Sequence, residues 1–438
     1  MLAAETMRTL ARDEMIQLQQ EGCDTTVLEE LLLSVEGAAE SYMQGRLMDF
    51  FEMARRLRPA PDCPYDEPSD LQGIREATPE DVERWTAENL TEDWLRDRLT
   101  GAWLGRCIGC MMGKPVEGRN KVEIEQILRA ADAYPLDGYF PALENPPGSV
   151  TYRPVSDATL APNIDRAVRD DDTDYTVLGL MLMEQHGTRL ASEHVVNAWL
   201  TRLPWLRTYT AERAAMRNFV NEIEPPDSAE WMNPYREWIG AQIRADGFAY
   251  CAPGQPQLAA TYCFRDAAIS HTKNGIYGEM FFGAMIAAAL GAEHLDACIR
   301  RALAEIPKNC RLAEAVNKCI GWCEEDDSWE DTWQRIIAEY GHYHTVHTIN
   351  NALLCIMGLL HGEGDMRRSI AIAVMGGLDT DCNGATVGSV MGALLGTEGV
   401  PADLSDPLND TLETALSGAA RLRISDLVER SLKVARGG

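Results

Sequence analysis

The sequence predicts an all-α protein with an N-terminal helical extension. Apolar residues recur at helical spacing along most of the 438 residues. Convincing alternating strands are absent, and the breaks in periodicity carry Pro, Gly or helix-capping residues.

Taken in order, residues 1–58 read as helices. Leu2, Met7, Leu10, Met15 and Leu18 form one stripe, Leu28, Leu31, Leu32 and Val35 a second, and Tyr42 to Leu57 a third. Pro59, Pro61, Pro64, Pro68 and Gly73 break the pattern, so 59–76 reads as a linker. Thr78-Pro79-Glu80-Asp81 has a cap, a proline at the first helical position and first-turn acids, and reads as a helix start. Thr91-Glu92-Asp93 reads as another. The expected division is an extension with its linker at 1–90 and a larger helical domain at 91–438.

Glycines 101, 105, 109 and 113 recur every fourth position, which puts them on one helix face and lets another helix approach closely. Residues 131–168 are rich in Pro, Gly, Asp and Asn and read as an irregular surface insertion. Helices are then predicted at 177–186, 192–203, 277–290, 295–303, 312–323, 332–340, 345–360, 366–375, 385–395, 409–417 and 424–435. The aromatic stretch 204–262 (Trp205, Trp231, Tyr235, Trp238, Tyr250) reads as an excursion between helices.

Composition narrows the function. With 45% hydrophobic residues the chain can bury a sizeable core. A formal net charge of −28 argues against a broad nucleic-acid-binding face and against attraction to anionic membrane. A small or cationic partner fits better, and an anionic substrate needs metal or helix N-termini to offset the field. The twelve cysteines show no paired zinc framework and read as reduced thiols of a cytoplasmic protein. The first residues lack a signal-peptide pattern, and no apolar run is long enough to span a membrane.

Two acidic clusters about 200 residues apart carry the chemistry: Asp170-Asp171-Asp172-Thr173-Asp174, and Gly376-Gly377-Leu378-Asp379-Thr380-Asp381-Cys382. Each runs into a helix-like stretch. Crowded carboxylates repel unless a cation lies between them, and hard oxygen ligands suit Mg²⁺, Mn²⁺ or Ca²⁺. An acidic helix cap is the plainer reading of any single Asp. Three adjacent acids in one cluster, and Asp379 with Asp381 after Gly-Gly in the other, exceed what a cap uses. Asp379 and Asp381, two apart, turn toward one point if that segment is extended.

The stretch Gly101 to Gly118, which ends in Gly113-Lys114-Pro115-Val116-Glu117-Gly118, resembles the opening motif of the ADP-ribosylglycohydrolase family. Asp170-Asp171-Asp172-Thr173 is similar to its first metal motif, usually Thr-Asp-Asp-Thr, and Gly377 to Cys382 to its second, usually Gly-Asp-Thr-Asp-Thr. The resemblance covers about residues 95–400. It implies an all-α globular fold with a two-magnesium centre in a cleft, Mn²⁺ being the other candidate. The implied ligands are Asp171, Asp172, Asp379 and Asp381, with Asp170 and Cys382 standing where the family has ligating threonines. Cys110 replaces an Asp common in the opening motif. Ser270 to Gly278 is similar to the family's Thr-His stretch, and His347 to Asn351 lies just upstream of the second metal motif. Gly113, His271, Asn274, His347, Asn350 and Gly377 are thereby expected to bind substrate, the plainer reading for the histidines being a buried, satisfied side chain.

The implied reaction is hydrolysis of a glycosidic bond, with divalent ions binding the ribose hydroxyls and activating water. Glu117 is expected to move the proton, with Asp171 or Asp172 as an alternate base. The substrate would be ADP-ribose, or a related ribosyl group, on a protein or small-molecule acceptor. The other readings are a hydrolase of further N-glycosides such as nucleosides, and a non-catalytic helical scaffold. The N-terminal helices are a candidate surface for a homo-oligomer.

Overall fold

The computed structural model describes residues 3–80, 85–143, 152 and 156–437. Among them are twenty-one α-helices and one two-stranded antiparallel sheet, Thr411–Glu413 with Arg421–Arg423. No described helix is long and apolar enough to cross a membrane, and the twelve cysteines are unbonded to one another.

The helices predicted at 295–303, 366–375 and 424–435 have those bounds in the structure, and the others in the C-terminal half shift by a few residues. The exception is 409–417. Asn409 and Asp410 both take positive φ (46° and 49°), which stops a helix from forming. The chain continues as the strand Thr411–Glu413, which also bonds Ala167: the Ala167 N–H donates to Thr411 O at 2.9 Å, and the Glu413 N–H to Ala167 O at 3.0 Å. The predicted linker contains the helix Leu71–Ala77, capped by Asp70, whose carboxylate accepts from the Gly73 N–H at 2.9 Å. Thr78 is the C-cap of that helix. The helix predicted from Thr78 continues into residues 81–84, which lie outside the described residues, as do 144–151 and 153–155 of the predicted insertion. The aromatic stretch 204–262 is itself largely helical, with Thr210–Val220 and Pro256–Ala267 as its longest segments.

The glycine stripe finds its partner at the far end of the chain. Helix Glu92–Gly113 packs antiparallel against Thr380–Leu395, and the contacts repeat in register: Gly101 on Gly392, Gly105 on Gly388, Gly109 on Gly384, Gly113 on Thr380. A Cβ built at any of these four glycines would lie under 3.0 Å from backbone of the opposite helix. The two backbones are therefore in contact, and only glycine permits it. The crossing brings the C-terminal end of the first helix beside the N-terminal end of the second. Lys273–Ala289, Thr348–His361 and Met366–Met375 surround this pair and are almost wholly buried.

The N-terminal helices Ala4–Gln20, Thr26–Ser34 and Glu40–Ala54 enclose a small core of their own around Met7, Leu31, Leu47 and Phe50. They dock on the rest of the chain mainly through buried charge. Arg236 pairs with Glu14 at 2.8 Å and Glu21 at 2.7 Å, Gln17 donates to Glu237 at 2.6 Å, and Lys273 reaches Glu21. Arg311 pairs with Glu67 and Glu237, both at 2.7 Å. Buried ions are tolerated only when paired in this way.

A second buried group surrounds Arg244, which pairs with Glu212 at 2.9 Å, Glu279 at 3.5 Å and Asp266. One guanidinium cannot compensate three desolvated carboxylates. Burial raises all three, Glu212 to about 7 and Glu279 well above its usual 4.5. The folded state thus holds a proton on Glu279 that the unfolded chain releases above pH 4.5, and stability falls as pH rises beyond that value. Glu279→Gln removes this loss. Its urea midpoint relative to wild type should rise between pH 5 and pH 8, and a relative midpoint that stayed flat or fell would refute a protonated Glu279.

Candidate metal centre and cleft

The helix crossing sets the position of the acids. Helix Glu92–Gly113 passes through Lys114–Val116 into Glu117, which lies exposed at the cleft edge. Opposite it, Gly377 and Leu378 take positive φ (82° and 67°), and a Cβ at Gly377 would lie 2.7 Å from Arg119 O. This turn fixes the two loops to each other: the Gly118 N–H donates to Leu378 O at 2.9 Å and the Leu378 N–H to Arg119 O at 3.0 Å. Asp379 then stands at the N-cap position of helix Thr380–Leu395 without a side-chain capping bond, and Asp381 sits in the first turn. The two carboxylates converge by starting a helix, rather than along an extended segment.

Asp170 caps helix Asp171–His186, its carboxylate accepting the Asp172 N–H at 3.0 Å. Carboxylate and thiol atoms from the two clusters and from the stretch 110–117 gather into groups with all ligand atoms within 4.8 Å of one another: Glu117 with Asp379 and Asp381; Asp172 with Asp381 and Cys382; Cys110 with Asp170 and Asp172. Asp381 belongs to two of them. Glu117, Asp172, Asp379, Asp381 and Cys382 line a cavity of about 780 Å³, together with Lys114, Asp171 and Glu212 and the arginines 166, 169 and 207; Cys110 and Asp170 lie behind its wall.

Two cations are built into the centre. Arg106 is fully buried; it pairs with Asp172 and Asp246, each at 3.0 Å, and donates to Ile243 O at 2.7 Å. It fixes the Asp172 carboxylate in place. Lys114 pairs with Asp170, so the acid standing where a threonine is usual comes with its own counter-charge. Even so, the negative charge is in excess. Repulsion from Asp381, helped by the partial desolvation of its carboxyl at the cleft edge, lifts Glu117 to about 8. Burial, opposed by Arg106, lifts Asp172 to about 7, and burial and Asp381 hold Asp379 well above the usual carboxylate range. Oδ1 of Asp381 is buried without a hydrogen-bond partner among the described residues. An unsatisfied buried oxygen among carboxylates that resist ionisation is what a hard divalent cation would relieve. Cys382 fits that role poorly. Burial keeps its thiol protonated, and it donates to Asp172 at 3.2 Å.

The other expected substrate residues are placed differently. Gly113 and Gly377 pack against backbone and do not line the cavity. His271 is 1% exposed against Ser270, and Asn274 bonds Glu237, Glu67 and the Leu312 N–H in the charge network of the extension. His347 caps helix Thr348–His361 at the Ile349 N–H, stacks on Tyr343, and is driven down to about 3 by burial. Asn350 donates to His344 O at 3.0 Å. The structure brings none of these four to the cavity. Asn351 instead supports the site: its Oδ1 accepts from the Asp379 N–H at 3.1 Å and from Asn383 at 2.8 Å. Its signal was its position one turn after His347, whose carbonyl its amide also bonds. Arg106 lay inside the opening motif, at the third residue before Gly109.

The family model for ADP-ribosylglycohydrolase matches residues 91–436, most of the chain. The chain belongs to the ADP-ribosylglycohydrolase family. Among solved structures, one described as an ADP-ribosylglycohydrolase-related protein complex is 17% identical, with a TM-score of 0.44 over 78% of this chain and 99% of that one. No curated protein matches the chain. Membership supports a glycosyl hydrolase, and the helical architecture and the acidic cleft accord with it.

Proposed function

We propose that this ADP-ribosylglycohydrolase family member hydrolyses the glycosidic bond between ADP-ribose, or a related ribosyl group, and an N- or O-linked acceptor. The observation that carries the reading is the convergence of Glu117, Asp172, Asp379 and Asp381 in one cavity, with one buried oxygen of Asp381 left without a hydrogen-bond partner among the described residues. Asp171, Asp172, Asp379 and Asp381 would hold Mg²⁺ or Mn²⁺, and Asp170 supports them through Lys114. When bound, the metal supplies Lewis acidity toward the ribose hydroxyls and the attacking water. Glu117 sits at the cleft edge with its proton affinity raised by Asp381, which suits it to hold or pass the proton of the reaction. Arg106 keeps Asp172 oriented. The arginines at 166, 169 and 207 offer positive charge to phosphate in a chain that is otherwise strongly acidic.

The test is release of free ADP-ribose from arginine-linked and serine-linked ADP-ribosyl peptides, with Mg²⁺ or with EDTA. Release from one peptide that stops in EDTA is expected, and names the linkage. No release from either peptide, with metal bound, would redirect the reading to another N-glycoside. No release and no bound metal would leave a helical scaffold.

A further inference from the structure

A second cavity, of about 660 Å³, adjoins the first. Thr210 and Trp238 line both, and the segment from Trp205 to Arg213 runs along the two. One wall is the N-terminal helix Ala4–Gln20, through Ile16 and Gln17. That helix lies outside residues 91–436, so this wall belongs to the chain's own extension and not to the family domain.

The cavity has aromatic walls. Trp238 stacks on His344 at 4.1 Å and 10°, and Tyr235 lies 4.7 Å from Trp238. The Arg213 guanidinium lies 6.0 Å from the Trp205 ring and 5.6 Å from that of Tyr209. Trp205 is 44% exposed, a large aromatic surface left uncovered beside the opening. Two polar atoms of the wall lack partners among the described residues. Gln17 is 1% exposed, and its Oε1 accepts nothing although its Nε2 holds Glu237; the buried Nε of Arg213 donates to nothing. The uncovered aromatic surface beside the opening matches the face of a nucleobase. The carboxylate of Asp13, also in the wall and bonded by the Tyr235 hydroxyl at 3.3 Å, disfavours a phosphate there. Phosphate is served instead by the arginines of the first cavity.

We infer that the N-terminal extension completes a nucleobase subsite, so that one substrate places its ribose at the carboxylates, its phosphates at the arginines and its base between Trp205, Trp238 and the helix Ala4–Gln20. This rests on the hydrolase reading above, because it assigns the second cavity to the far end of the same substrate.

The test measures calorimetric Kd values of ADP-ribose, adenosine and ribose 5-phosphate on the full chain with Mg²⁺. It compares wild type, Trp205→Ala and Ile16→Lys; both substituted positions are well exposed, and the second fills the wall contributed by the extension. Each variant should weaken ADP-ribose and adenosine at least about tenfold, the scale of one lost base–aromatic stack, and leave ribose 5-phosphate unchanged. Variants that bind ADP-ribose as wild type does, or that lose ribose 5-phosphate equally, overturn the subsite. Wild type that binds ribose 5-phosphate but not adenosine overturns the subsite alone. Wild type that binds none of the three overturns the hydrolase reading and this one with it.

Discussion

Asp381→Asn is expected to remove metal binding and turnover together. Asp381 is shared between the group with Glu117 and Asp379 and the group with Asp172 and Cys382, and its Oδ1 has no hydrogen-bond partner among the described residues. An amide keeps the shape and forfeits the charge. Loss of even an outer partner of a metal ligand costs about 10–100-fold in affinity, so a shared ligand should cost at least about a hundredfold. Glu117→Gln is the contrast. At the exposed edge of the cleft it should retain metal and lose about a thousandfold in kcat, the scale of a missing proton-transfer group. Metal titration and single-turnover rates separate the two. Asp381→Asn with unchanged metal affinity would place the ion elsewhere. Glu117→Gln with unchanged kcat would remove Glu117 from the chemistry.

The second large effect lies in the helix crossing. Gly109→Ala puts a methyl group against the Gly384 carbonyl, with rigid backbone on both sides. Destabilisation of about 3 kcal/mol is expected, the upper end for overpacking, because no side chain is available to yield. Gly321→Ala is the control. That glycine is in helix Arg311–Glu325 with nothing within 4 Å of a Cβ, so the substitution should stabilise by roughly 0.5–1 kcal/mol. Urea denaturation reads both. A Gly109→Ala protein as stable as wild type would mean that the two helices can separate without cost.

Much of this architecture was legible because helical periodicity and the order of motifs are local properties. The glycine stripe announced a close helix contact, but not its partner at 384–392, since nothing local encodes a pairing across the chain. The convergence of Asp171, Asp172, Asp379 and Asp381 on one cavity accords with the expectation set by their clustering. The expected strand-like approach of Asp379 and Asp381 did not hold, because the positive φ of Gly377 and Leu378 starts the helix immediately. Arg106 within the apolar glycine helix and Lys114 just after it are lone cations without a periodic signature, and their roles depend on acids about 60 residues further on. The histidine and asparagine motifs lie outside the cavity. His271 and Asn274 serve the packing and the charge network behind the cleft, and Asn350 yields to its neighbour Asn351, a one-residue difference that rotates a side chain to another face of the helix.

The pairing of helix Glu92–Gly113 with Thr380–Leu395 also sets an order of events during synthesis. The first helix leaves the ribosome with a bare backbone seam that no nearby segment covers, and the residue that meets Gly101 is Gly392. Closing so long a loop comes late in folding. Until it closes, the two halves of the acid cluster are separate and neither is a cation site. Any ion that needed ligands from both halves would therefore meet the full set only once this crossing had formed.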